Sequence, residues 1–298
     1  MSGLKAIRRR ITSVKNTKQI TRAMKLVSAA KLRRAQDAAL SGRRYRDELN
    51  DILRRIIAEL PQDFSHPLLE RRTEIKKRRA IVIGGSRGLC GAYNANVAKA
   101  VQLNEESALA SDSVSVTPIG KQAGIAGKRF GWPLSTFAEE LDDDAALWPV
   151  TILAEKLVAE YIAGEFDELV VYYTKFVSAM TQEVTRTVIL PFTPDQAATL
   201  VPEQDAALKA AEVHATRFDP EPLVMLTKLL PVLIGSHIRQ AGLEAKASEH
   251  AARMTAMDSA TRNADDLIGQ LKLFYNRARQ TAITRELIDI VGGAEAIK

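Results

Sequence analysis

GLKAIRRRITSVKNTKQITRAMKLVSAAKLRRAQDAALSGRRYRDELNDILRRIIAEL, residues 3–60, decides the fold. It contains no proline, and its only glycines are Gly3 and Gly42. Leu4, Ile7, Ile11 and Val14, then Ile20, Met24 and Val27, recur by threes and fours, which predicts one amphipathic helix that ends at Pro61. At 1.5 Å per residue such a helix reaches about 85 Å, far beyond an ordinary globular helix. It therefore needs a partner helix.

The partner is expected at the other end of the chain. From about residue 221 to 291, Leu243, Ala247, Ala251, Met254, Met257, Ala264, Leu267, Leu271, Phe274, Ala278 and Ile283 recur at helical spacing. Small residues among them let two backbones approach. Pro231 predicts a kink near the start, and Gly292-Gly293 predict the end. The two extremities are thus expected to pair as a long antiparallel coiled coil.

Between them the pattern changes. Residues 80–83, 113–119, 169–176 and 184–190 are β-branched and aromatic runs bounded by turn residues, and helical patterns near 94–109 and 145–162 separate the first three. This predicts a small inserted α/β domain with a largely parallel sheet. The expected organisation is an N-terminal helix over 1–60, a globular domain with its connection over 61–219, and a C-terminal helix over 220–298.

Composition bounds the function. Of 298 residues, 46% are hydrophobic, enough for a buried core. The single Cys90 excludes an internal disulfide and suits a reducing compartment. No apolar run is long enough for a membrane span or a secretory signal, so a soluble, non-secreted chain is expected. Residues 1–60 hold 16 Lys and Arg against 5 Asp and Glu, an excess of 11, whereas the whole chain carries only +6. The first sixty residues should therefore face something acidic: nucleic acid, anionic lipid or a protein surface.

Three features could carry chemistry. The glycine-rich run Gly84-Gly85-Ser86-Arg87-Gly88-Leu89-Cys90-Gly91 follows an apolar strand, but it matches neither G-x-G-x-x-G nor a P-loop, and it reads as a tight turn. Cys90, with Arg87 nearby, could be a nucleophile; among Gly, Leu and Ala it reads as a small buried hydrophobe. The Asp142-Asp143-Asp144 run could hold a cation, yet no second acidic cluster stands at EF-hand spacing from it, and it reads as a solvated loop or helix start. His66, His214, His237 and His250 show no metal spacing. No catalytic site, metal or cofactor is expected.

Several blocks resemble one family. Residues 7–11 and 13–25, reading Ile7-Arg8-Arg9-Arg10-Ile11 and then Ser13 to Lys25, are similar to the N-terminal helix of the gamma subunit of rotary F-type ATP synthases. Ala251-Ala252-Arg253-Met254-Thr255-Ala256-Met257, Tyr275-Asn276-Arg277-Ala278-Arg279-Gln280 and the pattern Ile283-Thr284-x-Glu286-x-x-Asp289-x-x-x-Gly293-Ala294-x-Ala296 resemble its C-terminal signature. Gly88-Leu89-Cys90-Gly91-Ala92-Tyr93-Asn94 resembles the loop after its first strand.

The resemblance implies a non-catalytic central stalk of the α/β class, whose antiparallel coiled coil enters a ring of alternating alpha and beta subunits while an inserted Rossmann-like α/β domain protrudes below. It also implies an epsilon subunit and a membrane c-ring as partners, with proton-driven rotation coupled to ATP synthesis or hydrolysis. On that basis Arg279, Gln280 and Thr284 are expected to meet the acidic catch loops of beta. Arg8, Arg9, Arg22, Met24, Lys25, Arg33 and Arg34 are expected to meet its acidic lever, and Phe218 and Asp219 to lie toward the c-ring, with Phe218 standing where the family usually has tyrosine. The chloroplast branch's cysteine-bearing regulatory insert is not expected, because Cys90 stands alone. Met1 directly before the family-like helix suggests a bacterial or processed chain, peripheral on the cytoplasmic side of the inner or another energy-transducing membrane. Two other classes stay open: a basic coiled-coil nucleic-acid binder, although the first aromatic is Tyr45 and no stacking platform accompanies the charge, and a nucleotide-dependent enzyme using residues 84–94.

Overall fold

The computed structural model describes residues 2–59, 66–69, 72, 74–111, 113–135, 142, 145–192 and 222–295. Their order is α1 (Ser2–Ala58), β1 (Arg78–Ile83), α2 (Tyr93–Asn104), α3 (Glu106–Ala110), β2 (Val114–Ile119), α4 (Lys121–Phe130), α5 (Val150–Ile162), β3 (Glu168–Phe176), β4 (Gln182–Leu190) and α6 (Pro222–Glu295). The chain groups into two compact units, one of Met1–Ala30 with Arg253–Lys298 and the other of Lys31–Ala252. The division falls inside both long helices rather than at their ends.

In the larger unit the four strands form one sheet in the order β2-β1-β3-β4. β1 pairs in parallel with β2 and with β3, and β4 returns antiparallel along β3. β1 is buried on both faces, which is why its sequence reads as an unbroken apolar run rather than an alternation. Ala80 and Val82 pack with Val97, Val101 and Trp132 on the side of α2 and α4. Ile81 and Ile83 pack on the opposite side with α5, α6 and the end of α1, where Leu53, Ile56, Leu157, Leu233 and Ile234 are buried. The result is three layers around a mostly parallel sheet.

One helix escaped the periodicity argument. α4 carries Gly124 and Gly127, which weaken a helical reading. Gly127 is there for space: a Cβ would lie 2.6 Å from Leu134 and 3.2 Å from the Trp132 ring. The pattern over 145–162 resolves into a short 3₁₀ turn, Ala145–Leu147, followed by α5.

The start of the larger unit's strands is tied by charge. Glu105 is fully buried, accepts from the Arg78 guanidinium at 2.6 Å and from the Tyr172 hydroxyl at 2.5 Å, and lies 3.6 Å from Arg186. Glu168 accepts from Arg78 and Arg186 at 2.5 and 2.9 Å. Burial together with the carboxylate of Glu105 raises the Tyr172 phenol well above its ordinary value. Burial alone would raise Asp167, yet bonds from the Lys77 N–H, the Arg72 guanidinium and the Lys76 N–H hold it below the usual carboxylate range.

Within the smaller unit α1 and α6 run antiparallel. Lys18 pairs with Asp265 at 2.5 Å, the Thr21 and Thr261 hydroxyls lie 2.8 Å apart, and Lys25 pairs with Asp258 at 2.5 Å, so one index falls as the other rises. Here two expectations change. Thr21 and Ser28 are the buried positions of the α1 stretch in this unit, while Ile20 and Val27 stand 60% and 56% exposed. In this unit the seam keeps its heptad spacing from Val14 through Lys18, Thr21 and Lys25 to Ser28, but beyond Val14 it is polar and small. A second apolar stripe was mistaken for it. On α6, Phe274 and Ile283 are likewise exposed, at 59% and 49%, rather than in the seam.

The far end of α6 also differs from expectation. The helix, which holds Pro231 in its first turns, passes Gly292 and Gly293 to end at Glu295. A glycine lowers helix stability by only about 1 kcal/mol, which does not stop a helix already propagating.

Candidate partner-contact surfaces

In the smaller unit, Arg8, Arg9 and Arg22 of α1 are exposed and Met24 and Lys25 are half-buried. The Lys25 ammonium is engaged by Asp258. Its hydrogen bond, against slight burial and helped by the charges of Lys25 and Arg262, holds the Asp258 carboxyl below its ordinary value. Any acidic partner at this point therefore meets a pair of opposite charges rather than a lone cation. Beside it lie Ile20, Leu26 and Val27, all more than half exposed.

On α6 of the same unit, Arg279, Gln280 and Thr284 are exposed. The Thr284 hydroxyl donates to the Gln280 carbonyl at 3.0 Å, so toward a partner it is an acceptor. Around these polar residues Leu273, Phe274, Leu287, Ile288, Ile290 and Val291 are 57–67% exposed. Exposed apolar surface of this kind is what interaction sites carry. The sequence reading named the polar members, placed Phe274 in the seam and gave Leu273, Leu287, Ile288, Ile290 and Val291 no role, because it followed a single apolar stripe along the helix. A second stripe offset from the first was the available signal.

In the larger unit, Arg33 and Arg34 are exposed. Arg34 lines a cleft of about 390 Å³ together with Lys31, Lys246 and His250 on one side and Trp148 and Asp142 on the other. The Trp148 indole N–H donates to the Asp142 carbonyl at 2.9 Å. The rest of the acidic run, Asp143 and Asp144, lies outside the described residues, as do Phe218 and Asp219.

The glycine-rich loop after β1 is a packed turn. The Gly84 N–H donates to the Ile119 carbonyl at 2.8 Å and the Gly85 N–H to Asn94 Oδ1 at 2.9 Å, so these two amides point at protein. A Cβ at Gly84 would lie 2.8 Å from the Ala123 nitrogen, and Gly120, at φ +90°, closes against Gly84 from the next loop. Cys90 is buried, and its sulfur accepts from Asn94 Nδ2 at 3.2 Å. Among the described residues no cluster of three metal-ligating side chains occurs, and no helix is long and apolar enough to cross a membrane.

Comparison with known proteins agrees on one family. The family described as ATP synthase matches residues 3–297. Over the full length of both chains, this chain is 42% identical to the ATP synthase gamma chain of Geotalea daltonii, 41% to that of Geobacter metallireducens and 40% to that of Heliobacterium modesticaldum. Among solved structures, a chain of the Euglena gracilis mitochondrial ATP synthase superposes with a TM-score of 0.67 at 19% identity, over 99% of this chain and 95% of that one. A central-stalk/c-ring structure from Tetrahymena thermophila gives 0.57 at 20% identity, over 81% and 99%. These two likenesses speak to fold, and the full-length sequence matches settle descent: the chain belongs to the ATP synthase gamma-chain family.

Proposed function

We propose that this chain is the central-stalk subunit of a proton-translocating F-type ATP synthase, coupling rotation of a membrane c-ring to ATP synthesis or hydrolysis at an alpha/beta hexamer. It contributes no catalytic group and no cofactor site. It binds alpha, beta, epsilon and the c-ring, and is peripheral to the cytoplasmic face of a bacterial inner membrane through that assembly. The observation that carries this reading is the exposed apolar surface of α6 from Leu273 to Val291, with Arg279, Gln280 and Thr284 set into it. Nothing in the family match or the fold favours a nucleic-acid partner.

The physics needs only unequal contact. A catalytic subunit moves between two states from 1:99 to 99:1 when the shaft contacts one state more favourably by about 5.5 kcal/mol. Charge-assisted bonds contribute about 1.5–3 kcal/mol each, so a few of them on an apolar bearing suffice. Arg279 and Gln280 would hold the acidic catch loops of beta through planar donor groups. Arg8, Arg9, Arg22, Arg33 and Arg34 would meet its acidic lever, with Met24 and the paired Lys25 between them. Phe218 and Asp219 would face the c-ring.

The test is reconstitution with the alpha and beta subunits of a close relative. Adding the chain should raise steady-state ATP hydrolysis above that of the hexamer alone. Gln280→Leu should leave assembly intact and slow turnover by about tenfold, the weight of one such bond. Unchanged turnover with normal assembly would remove Gln280 from the contact.

A further inference from the structure

We propose that the glycine-rich loop after β1, Tyr93 and the end of β3 together form a polar clutch that fixes the angular position of α6 on the sheet, so that torque passes between them. The inference rests on the central-stalk reading and names the positioning residues it requires.

In doubly wound sheets the carboxyl ends of the parallel strands form the crevice that takes a ligand. Here α6 of the same unit fills it. The Tyr93 hydroxyl donates to the Ala245 carbonyl at 3.0 Å, and Ser248 Oγ donates to the Thr174 carbonyl at 2.9 Å. The Glu249 carboxyl packs against Gly85 so closely that a Cβ there would lie 3.1 Å from its Cδ. Ala245, Ser248 and Glu249 sit at i, i+3 and i+4, on one face of α6, and each is at most 3% exposed. A glycine-rich loop that matches no phosphate-binding motif thus packs against a carboxylate of its own chain.

Lower on α6, the contact with sheet and α5 is apolar, through Leu226, Leu230, Leu233, Ile234 and Ile238. Apolar burial is non-directional and resists separation more than it resists rotation of a helix about its axis. Hydrogen bonds are directional and costly to break when buried. The two hydrogen bonds, from Tyr93 and Ser248, with the Glu249 carboxyl close-packed beside Gly85, are therefore the part of the contact with the sheet that opposes slip.

The experiment uses the complete complex in vesicles, recording ATP hydrolysis and ATP-driven acidification together. The paired substitution Tyr93→Phe with Ser248→Ala removes two oxygens and no packing volume of consequence. Hydrolysis should stay within about twofold while acidification per ATP falls roughly three- to tenfold, the equilibrium weight of a buried hydrogen bond. Gly85→Ala, which crowds Glu249, should give the same uncoupling. Val101→Ala, a cavity in the α2 side of the sheet away from α6, should lower the melting temperature yet keep the wild-type ratio.

An unchanged acidification ratio in Tyr93→Phe/Ser248→Ala overturns the clutch, as does an equal loss in Val101→Ala. If the paired variant does not assemble, each single substitution is measured, and a wild-type ratio in both overturns it equally. Failure of the central-stalk reading looks different: the wild-type chain would then support no acidification at all.

Discussion

Along α6 the two compact units treat apolar residues in opposite ways. In the larger unit nearly every position from 233 to 251 is buried, and Leu233, Ile234, Ala247 and Ala251 have essentially no exposure. In the smaller unit Met257, Ala264 and Ile268 are buried on a narrow stripe, and beyond Leu271 large apolar residues face outward. The larger unit is held by its own core. The smaller is held by a narrow stripe of small and apolar residues with ion pairs beside it, and its outward apolar surface is left uncovered by the described residues. The same helix is thus a core element in one place and a prepared surface in the other.

The contrast breaks or sharpens under substitution. Glu105→Gln leaves Arg78 and Arg186 short of a buried counter-charge in the larger unit and should cost about 3–5 kcal/mol, read from urea unfolding of the isolated chain. Leu233→Ala should cost about 2–5 kcal/mol, whereas Leu273→Ala, on the same helix but 63% exposed, should stay within about 0.5 kcal/mol. Equal costs for the two leucines would erase the distinction drawn between the units.

Acid should act on the larger unit through His237. Burial, and then the charge of Arg46, push its pKa down to about 3, and its ring packs between Phe192 and Asn50. The folded chain keeps this imidazole neutral while the unfolded chain protonates it near its ordinary value of about 6.5. Stability due to this group is therefore complete above that value. It is lost as pH falls from about 6.5 toward 3, at about 1.4 kcal/mol per pH unit. Comparing wild type with His237→Gln across that range isolates the slope, and parallel curves would refute it.

The smallest effect belongs to the seam of the smaller unit. Lys25→Ala should leave the unfolding midpoint almost unmoved, since the pair it breaks is exposed to solvent. The Asp258 carboxyl should instead titrate closer to its ordinary value, which NMR can follow residue by residue. A large loss of stability would show that the ion pairs, not the stripe, hold this unit.

Much of this fold was legible beforehand because its signals are local. The runs at 80–83, 113–119, 169–176 and 184–190 each became a strand within two residues, since β-branched stretches between turn residues have few alternatives. α4 stayed hidden because Gly124 and Gly127 weaken local propensity, and the reason for Gly127, the approach of Leu134 and Trp132, lies in distant chain. Of the proposed contact residues, Arg8, Arg9, Arg22, Arg33, Arg34, Arg279, Gln280 and Thr284 stand exposed, while Lys25 is already paired. Ile20, Val27, Phe274 and Ile283 were assigned to the wrong face.

The amino-acid order by itself determined that two long helices exist, that a sheet lies between them, and that basic charge gathers at the start. Periodicity, breakers and composition act over a few neighbours, so they can be read without a partner in view. Which of two apolar stripes meets the other helix, why the glycine-rich loop packs against Glu249, and how the buried Glu105 finds Arg78 and Tyr172 were decided only in three dimensions. Each depends on groups brought together from far along the chain, and burial and hydrogen bonding are properties of that meeting.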